Sequence, residues 1–196
     1  MARASKITRE TGETKVSVEL DLDGGEVSAE TGVGFLDHML DLVGRHGKLG
    51  LRVNADGDLE TGAHHTVEDV GIALGQALDE ALGDRSGIRR FADVRIPMDE
   101  SLGECAIDIS GRPLLVFQAD LPPVNIAGFD AELAEEFFRA VANNSRMTLH
   151  VGVAYGSNAH HMIEACFKAF ARALRVAVSI DPDEDGVPST KGTLTS

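Results

Sequence analysis

Val16, Val18, Leu20 and Leu22 alternate with polar residues, a period of two that predicts a half-buried strand over Val16–Leu22. Asp23-Gly24-Gly25 turns that strand into a second extended stretch near Glu26–Ala29. Leu36, Met39, Leu40 and Val43 then recur at helical spacing, with Gly44 and Gly47 near the helix end. Leu49-Gly-Leu-Arg-Val53 reads as a strand closed by the polar turn Asp56-Gly57-Asp58. From Thr66, the positions Val67, Val70, Leu74, Ala77, Leu78 and Ala81 describe an amphipathic helix ending at Gly83. The order then repeats. Arg95–Met98, Cys105–Ile109 and Leu114–Ala119 read as strands, and Leu133, Phe137, Ala140 and Val141 mark a helix. Thr148–Tyr155 follows as a strand, and Ile163, Phe167, Phe170 and Leu174 mark a last helix.

The repetition extends to the residues themselves. Setting Leu36-Asp-His-Met-Leu40 on Ala134-Glu-Glu-Phe-Phe138 gives an offset of 98, and the same offset places Leu51-Arg-Val53 on Leu149-His-Val151. A two-residue deletion in the next turn brings Ala63-His64-His65-x-x-Glu68 onto Ala159-His160-His161-x-x-Glu164. Two copies of A-H-H-x-x-E, each opening the last helix of its half, indicate an internal duplication. The chain therefore divides into a first repeat half (1–90), a second (91–180), and a tail (181–196) that belongs to neither, the whole forming one compact domain.

Composition narrows the function. With 18 Lys+Arg against 32 Asp+Glu the formal net charge is −14, which argues against nucleic acid or an anionic membrane surface as partner. A hydrophobic content of 43% over 196 residues is enough for a buried core. No segment approaches the length of apolar chain that spans a membrane, and the start lacks a signal-peptide core, so a cytoplasmic protein is expected. Cys105 and Cys166 sit among apolar neighbours and read as buried free thiols.

Four of the seven histidines lie in the two H-H-x-x-E copies. On a helix, Glu68 shares a face with His64 or His65, while the two histidines diverge by about 100°. Diverging pairs, present twice, predict two metal ions, each drawing ligands from more than one helix. His38 aligns with Glu136, and both are ligand types. His150 aligns with Arg52, which cannot ligate, and is expected to play a structural or supporting part. Imidazole and carboxylate together suit Mn²⁺, with Fe²⁺ or Zn²⁺ as substitutes. Neither a G-x-S-x-G elbow nor an H-E-x-x-H zinc motif is present.

Five motifs resemble the imidazoleglycerol-phosphate dehydratase family: Gly34-Phe-Leu-Asp-His-Met-Leu40, His64-His-Thr-Val-Glu-Asp69, Asp108-Ile-Ser-Gly-Arg-Pro113, Asn158-Ala-His-His-Met-Ile-Glu-Ala165 and Pro188-Ser-Thr-Lys-Gly192. The resemblance runs in order from about Arg9 to Leu194. It implies an α+β fold like ribosomal protein S5 domain 2, duplicated, each half a four-stranded sheet with two helices on one face. It implies a homo-oligomer of twenty-four subunits built from trimers, with active sites at subunit contacts and two Mn²⁺ per active site. By resemblance the metal ligands are His38, His64, His65, Glu68, His160, His161 and Glu164. Glu136 stands where the family often carries histidine, and its carboxylate is the eighth candidate. Leu42 stands where many relatives have glutamine near the substrate.

The implied reaction removes water from a phosphate-ended imidazole glycerol to give imidazole acetol phosphate in histidine biosynthesis. The C2 hydrogen has no carbonyl beside it and is not acidic. A ring bound through both nitrogens can instead become imidazolate and expel the C3 hydroxyl, after which the C2 hydrogen is acidic; two metals flanking one ring is what this route requires. Glu13, in Arg9-Glu-Thr-Gly-Glu13-Thr, matches a family glutamate that contacts substrate. Glu13, Glu68 and Glu164 stand as competing bases. For the phosphate, the resemblance points to Arg90, Arg112, Lys168 and Ser189-Thr190-Lys191, and it adds His46 and Asp99 to the substrate contacts. Ordering of the tail on substrate binding is expected. Two other readings of the ligands remain: a dinuclear-metal oxidase or hydrolase, and a metal-assembled shell without activity. The second has no need of a phosphate pocket.

Overall fold

The structure is a computed structural model that describes residues 3–194. Its first element carries almost no hydrophobic signal. Strand β1 (Ala4–Glu10) alternates between exposed and half-buried positions, and the inward ones are Ser5, Ile7 and Arg9. The sequence pattern therefore begins one strand too late, at Val16. The polar side chains on β1 are satisfied within the fold: Ser5 Oγ donates to the Ala77 carbonyl at 2.8 Å, and Arg9 Nε meets Asp69 at 2.8 Å.

The first half continues with β2 (Thr14–Asp21), β3 (Val27–Glu30), α1 (Gly34–Gly47), β4 (Gly50–Gly57) and α2 (His64–Leu82). The second half runs β5 (Phe91–Met98), β6 (Ser101–Asp108) and β7 (Leu114–Gln118), then the small pair β8 (Asn125–Ile126) and β9 (Phe129–Asp130). It ends with α3 (Leu133–Ser145), β10 (Thr148–Tyr155) and α4 (Ala159–Ala177). Strand β5 begins four residues before Arg95, with Ala92, Val94, Ile96 and Met98 half-buried and Phe91, Asp93, Arg95 and Pro97 exposed.

Each half forms a four-stranded sheet, ordered β1-β2-β4-β3 and β5-β6-β10-β7, with two helices on one face. The registers coincide. Ile7 faces Val18 as Val94 faces Cys105, an offset of 87 on both strands. Val16 faces Ala55 as Gly103 faces Val153, offsets of 87 and 98. Even the helix ends agree: Lys48 and Arg146, 98 apart, both take the left-handed conformation at φ 57° and cap α1 and α3 through their backbone N–H.

The helices of the two halves interlock between the sheets, α1 against α4 and α2 against α3. Gly71 and Gly75 make the second contact possible, since a Cβ at either would lie 2.8–2.9 Å from the Phe137 or Val141 carbonyl. Phe137, Phe138, Phe167 and Phe170 fill the space between, with ring centroids 4.7–5.6 Å apart. Cys105 and Cys166 are buried and unpaired, and burial pushes the Cys166 thiol up to about 12. Among the described residues, no helix is long and apolar enough to cross a membrane.

Candidate metal and substrate site

The interlocking of α1 with α4 brings His38 of the first half to His160 and Glu164 of the second. Ligand-capable atoms of these three residues lie within 4.8 Å of one another. Glu164 Oε2 stands 3.0 Å from His160 Nε2 and 3.4 Å from His38 Nε2. The histidines are placed by the helix start: the Asn158 side chain accepts from the His160 and His161 backbone N–H groups, fixing the first turn. The edge of Phe35 packs on His160 at 5.0 Å. Burial alone would raise the Glu164 carboxyl, but Lys168 Nζ at 2.6 Å, with His160 and His38, outweighs it and holds the group below its ordinary value. His46, further along α1, is pushed down by burial and then by Lys168 and Arg172, which favours its neutral form.

The adjacent histidines diverge as helical geometry requires. The rings of His64 and His65 stand at 89°, those of His160 and His161 at 81°. His64 faces Glu68, at 3.9 Å. His65 Nδ1 lies 3.0 Å from Asp58 and 3.8 Å from Glu13. His161 Nδ1 lies 2.7 Å from Glu100, and its Nε2 is 3.8 Å from Asp99. Hydrogen bonds that Asp58 and Glu100 accept from His65 and His161 raise both imidazoles above their ordinary values. Buried Asp69 ties this corner together, bonding Arg9 of β1 at 2.8 Å and Thr14 Oγ1 at 2.5 Å, so Glu13 is held against the first turn of α2. Glu136 sits on the helix that packs on α2, where its nearest charged partner is Arg139 at 3.9 Å. Among the described residues, only His38, His160 and Glu164 form a gathered ligand set. His150 is exposed on the second sheet, between Ala106 and Val116 of the neighbouring strands and apart from that set.

The basic candidates gather elsewhere. Arg90, at φ 69°, spends Nε and Nη2 on Asp108 at 2.7 and 3.2 Å and Nη1 on the Pro188 carbonyl at 2.8 Å. Arg112 reaches Asp108 at 3.7 Å and is otherwise largely exposed. The tail is anchored on both sides of its Ser-Thr-Lys turn: Pro188 by Arg90, and the Leu194 carbonyl by Arg85, which also bonds Asp79 and the Ser145 carbonyl. Between these anchors Gly192 N donates to the Ser189 carbonyl at 2.9 Å, and Ser189, Thr190 and Lys191 are left at the surface. Thr195 and Ser196 lie outside the described residues. Arg90, Arg112 and the tail thus surround Asp108 at one end of β6, while Glu100 and His161 adjoin Ser101 at the other. An eight-residue strand spans about 23 Å, so the two groups stand at opposite ends of the second sheet.

Three residues were not singled out by the sequence: Asp58, Glu100 and Arg85. The signal for Glu100 was its offset of 87 from Glu13, visible only once the strand register is known.

A family model described as imidazoleglycerol-phosphate dehydratase matches residues 31–174. This chain belongs to that family. The imidazoleglycerol-phosphate dehydratase of Geobacter metallireducens is 56% identical over 195 residues, covering 99% of this chain and 100% of that protein. The enzyme of the same name from Methylorubrum extorquens is 57% identical over 194 residues, covering 98% and 100%. Among solved structures, the Staphylococcus aureus imidazoleglycerol-phosphate dehydratase superposes with a TM-score of 0.81 at 42% identity, covering 91% of this chain and 99% of that one. The Pyrococcus furiosus structure, in complex with (S)-C348, gives 0.84 at 37% identity, covering 96% and 100%. Dehydratase activity, a hydro-lyase step of histidine biosynthesis, comes with membership of the imidazoleglycerol-phosphate dehydratase family.

Proposed function

We propose that this chain dehydrates D-erythro-imidazole glycerol phosphate to imidazole acetol phosphate with two Mn²⁺ ions per active site. We place it in the cytoplasm, in a homo-oligomer of twenty-four chains built from trimers, with active sites at subunit contacts. The observation that carries the metal reading is the convergence of His38, His160 and Glu164 from opposite halves of the chain. Two imidazole nitrogens and a carboxylate oxygen are a donor set suited to Mn²⁺. His64, Glu68 and Glu136 are the equivalent residues on α2 and α3, and His65 and His161 point away from them to complete the coordination. Divalent cations held by these residues would supply Lewis-acid chemistry to the substrate ring.

The residues then divide the work. Glu164 is committed to His38, His160 and Lys168, and Glu68 faces His64. Glu13 stands outside both sets at 3.8 Å from His65, so it is the carboxylate best placed to take the C2 proton. Asp99 and His46 border the metal corner, and Lys168 offsets charge there. Arg90, Arg112 and Ser189-Thr190-Lys191 supply the cations and hydroxyls for the phosphate. Because about 23 Å of β6 separates these from His161 on one chain, the phosphate-binding residues of an active site belong to a neighbouring subunit. The test is formation of imidazole acetol phosphate, followed by ultraviolet absorbance, with metal-stripped protein and after adding Mn²⁺. Activity that needs the ion supports the reading; full activity of the stripped protein refutes it.

A further inference from the structure

Glu13 and Glu100 precede β2 and β6 by one residue and are equivalent by register, yet they meet their histidines differently. Glu100 lies 2.7 Å from His161 Nδ1, whereas Glu13 lies 3.8 Å from His65 Nδ1. In the first half Asp58 holds that nitrogen instead, with both carboxylate oxygens at 3.0–3.1 Å. The second half has no counterpart to Asp58. Its shorter loop after β10 reads Gly156-Ser-Asn158, without a carboxylate. A Cβ at Gly156 would lie 2.5 Å from Ser101 Oγ and 2.6 Å from Met162 Cγ, so no side chain fits there.

We infer that Glu100 is the positioning carboxylate of His161, the part that Asp58 plays for His65, and that it keeps Nε2 of that imidazole free to ligate a divalent cation. Glu100 is itself held firmly. Its Oε1 accepts from the Ser157 and Asn158 backbone N–H groups at 3.2 and 2.9 Å and from Ser101 Oγ at 3.0 Å. Its Oε2 is left to His161. A carboxylate only accepts, so Nδ1 carries the proton and the lone pair stays on Nε2. One half thus uses the hairpin glutamate to orient a ligand, and the other uses a loop aspartate and leaves its hairpin glutamate, Glu13, free for substrate. This inference rests on the metal reading above.

Glu100→Gln separates orientation from helix capping. The glutamine Oε1 can keep the bonds from Ser157 and Asn158, but its NH₂ then donates to Nδ1 and drives the imidazole proton onto Nε2, which cannot ligate in that form. The metal-stripped full-length variant should melt with the parent, while its Mn²⁺ dissociation constant, read by electron paramagnetic resonance titration, weakens about 10- to 100-fold. In a His161→Ala background Glu100→Gln should add nothing to that loss, and Glu100→Ala should lower both melting temperature and affinity. If His161→Ala weakens Mn²⁺ binding but Glu100→Gln binds as the parent does, the inference is overturned and the metal reading stands. A Glu100→Gln loss that persists in the His161→Ala background overturns the inference too, since its action would not run through His161. If the parent shows no saturable Mn²⁺ binding, or His161→Ala leaves it unchanged, the metal reading falls and the inference with it.

Discussion

His38 and Glu164 are 126 residues apart, one in each half of the chain, and His38 Nε2 stands 3.4 Å from Glu164 Oε2. That contact bridges the duplication at the seam between α1 and α4. A cation bound there would tie the halves together, and His64, Glu68 and His65 lie at or near the surface outside that contact. Chelation should therefore dissociate a large particle into smaller oligomers and lower the melting temperature. At a Mn²⁺ concentration about 100 times the dissociation constant, the bound ion contributes about 2.7 kcal/mol. Light scattering of the chelated protein checks this, and an unchanged particle would count against metal-held contacts.

Glu13 is free of the ligand set, so Glu13→Gln should leave metal content intact and reduce kcat by about 10²- to 10⁴-fold. Glu68→Gln and Glu164→Gln should instead lower metal content. Steady-state rates alongside metal analysis distinguish the three carboxylates. A Glu13→Gln protein that turns over like the parent would move the base elsewhere.

Glu136 tests the duplication where the family habit and this chain differ. It aligns with His38 and sits on α3, which packs against α2, the helix that carries His64 and Glu68, with Arg139 at 3.9 Å as its nearest charged partner. If it turns to a cation in the assembled protein, Glu136→Gln should reduce Mn²⁺ stoichiometry or affinity. Equal metal content in variant and parent would leave Glu136 as a surface partner of Arg139.

The tail depends on Arg85, whose side chain is fully buried and whose guanidinium reaches Leu194, Asp79 and Ser145. Arg85→Met should strand buried carbonyls and destabilise the fold by about 1–3 kcal/mol for each acceptor left unpaired. It should also release the tail, so that trypsin cuts faster after Lys191. Unaltered cleavage would mean that Arg90 on Pro188 holds the segment alone.

The duplication was legible because its signal lies in local chemistry: two A-H-H-x-x-E copies and an offset of 98 that runs unbroken through α1–β4 and α3–β10. Strand β1 was not, because Ile7 is the one apolar residue on its inward face, flanked by Ser5 and Arg9, whose polar groups bond Ala77 and Asp69. The diverging histidines followed from helical geometry alone. Asp58 and Glu100 could not be seen, since each becomes a partner of its histidine only when a hairpin or loop is folded against the first turn of a helix. The bonding of Arg90 was likewise hidden. Its donors go to Asp108 and to the Pro188 carbonyl, a residue 98 positions away.

The central claim is that each active site joins the metal corner of one chain to the phosphate residues of another. It is tested by mixing two variants, His161→Ala and Arg112→Ala, each expected to be nearly inactive alone. After joint dissociation by chelation and reassembly with Mn²⁺, random association should rebuild about a quarter of the sites with both groups intact, and dehydratase activity should return in proportion. If the mixture stays as inactive as its components while the parent regains activity under the same treatment, the site lies within a single chain and the account is contradicted.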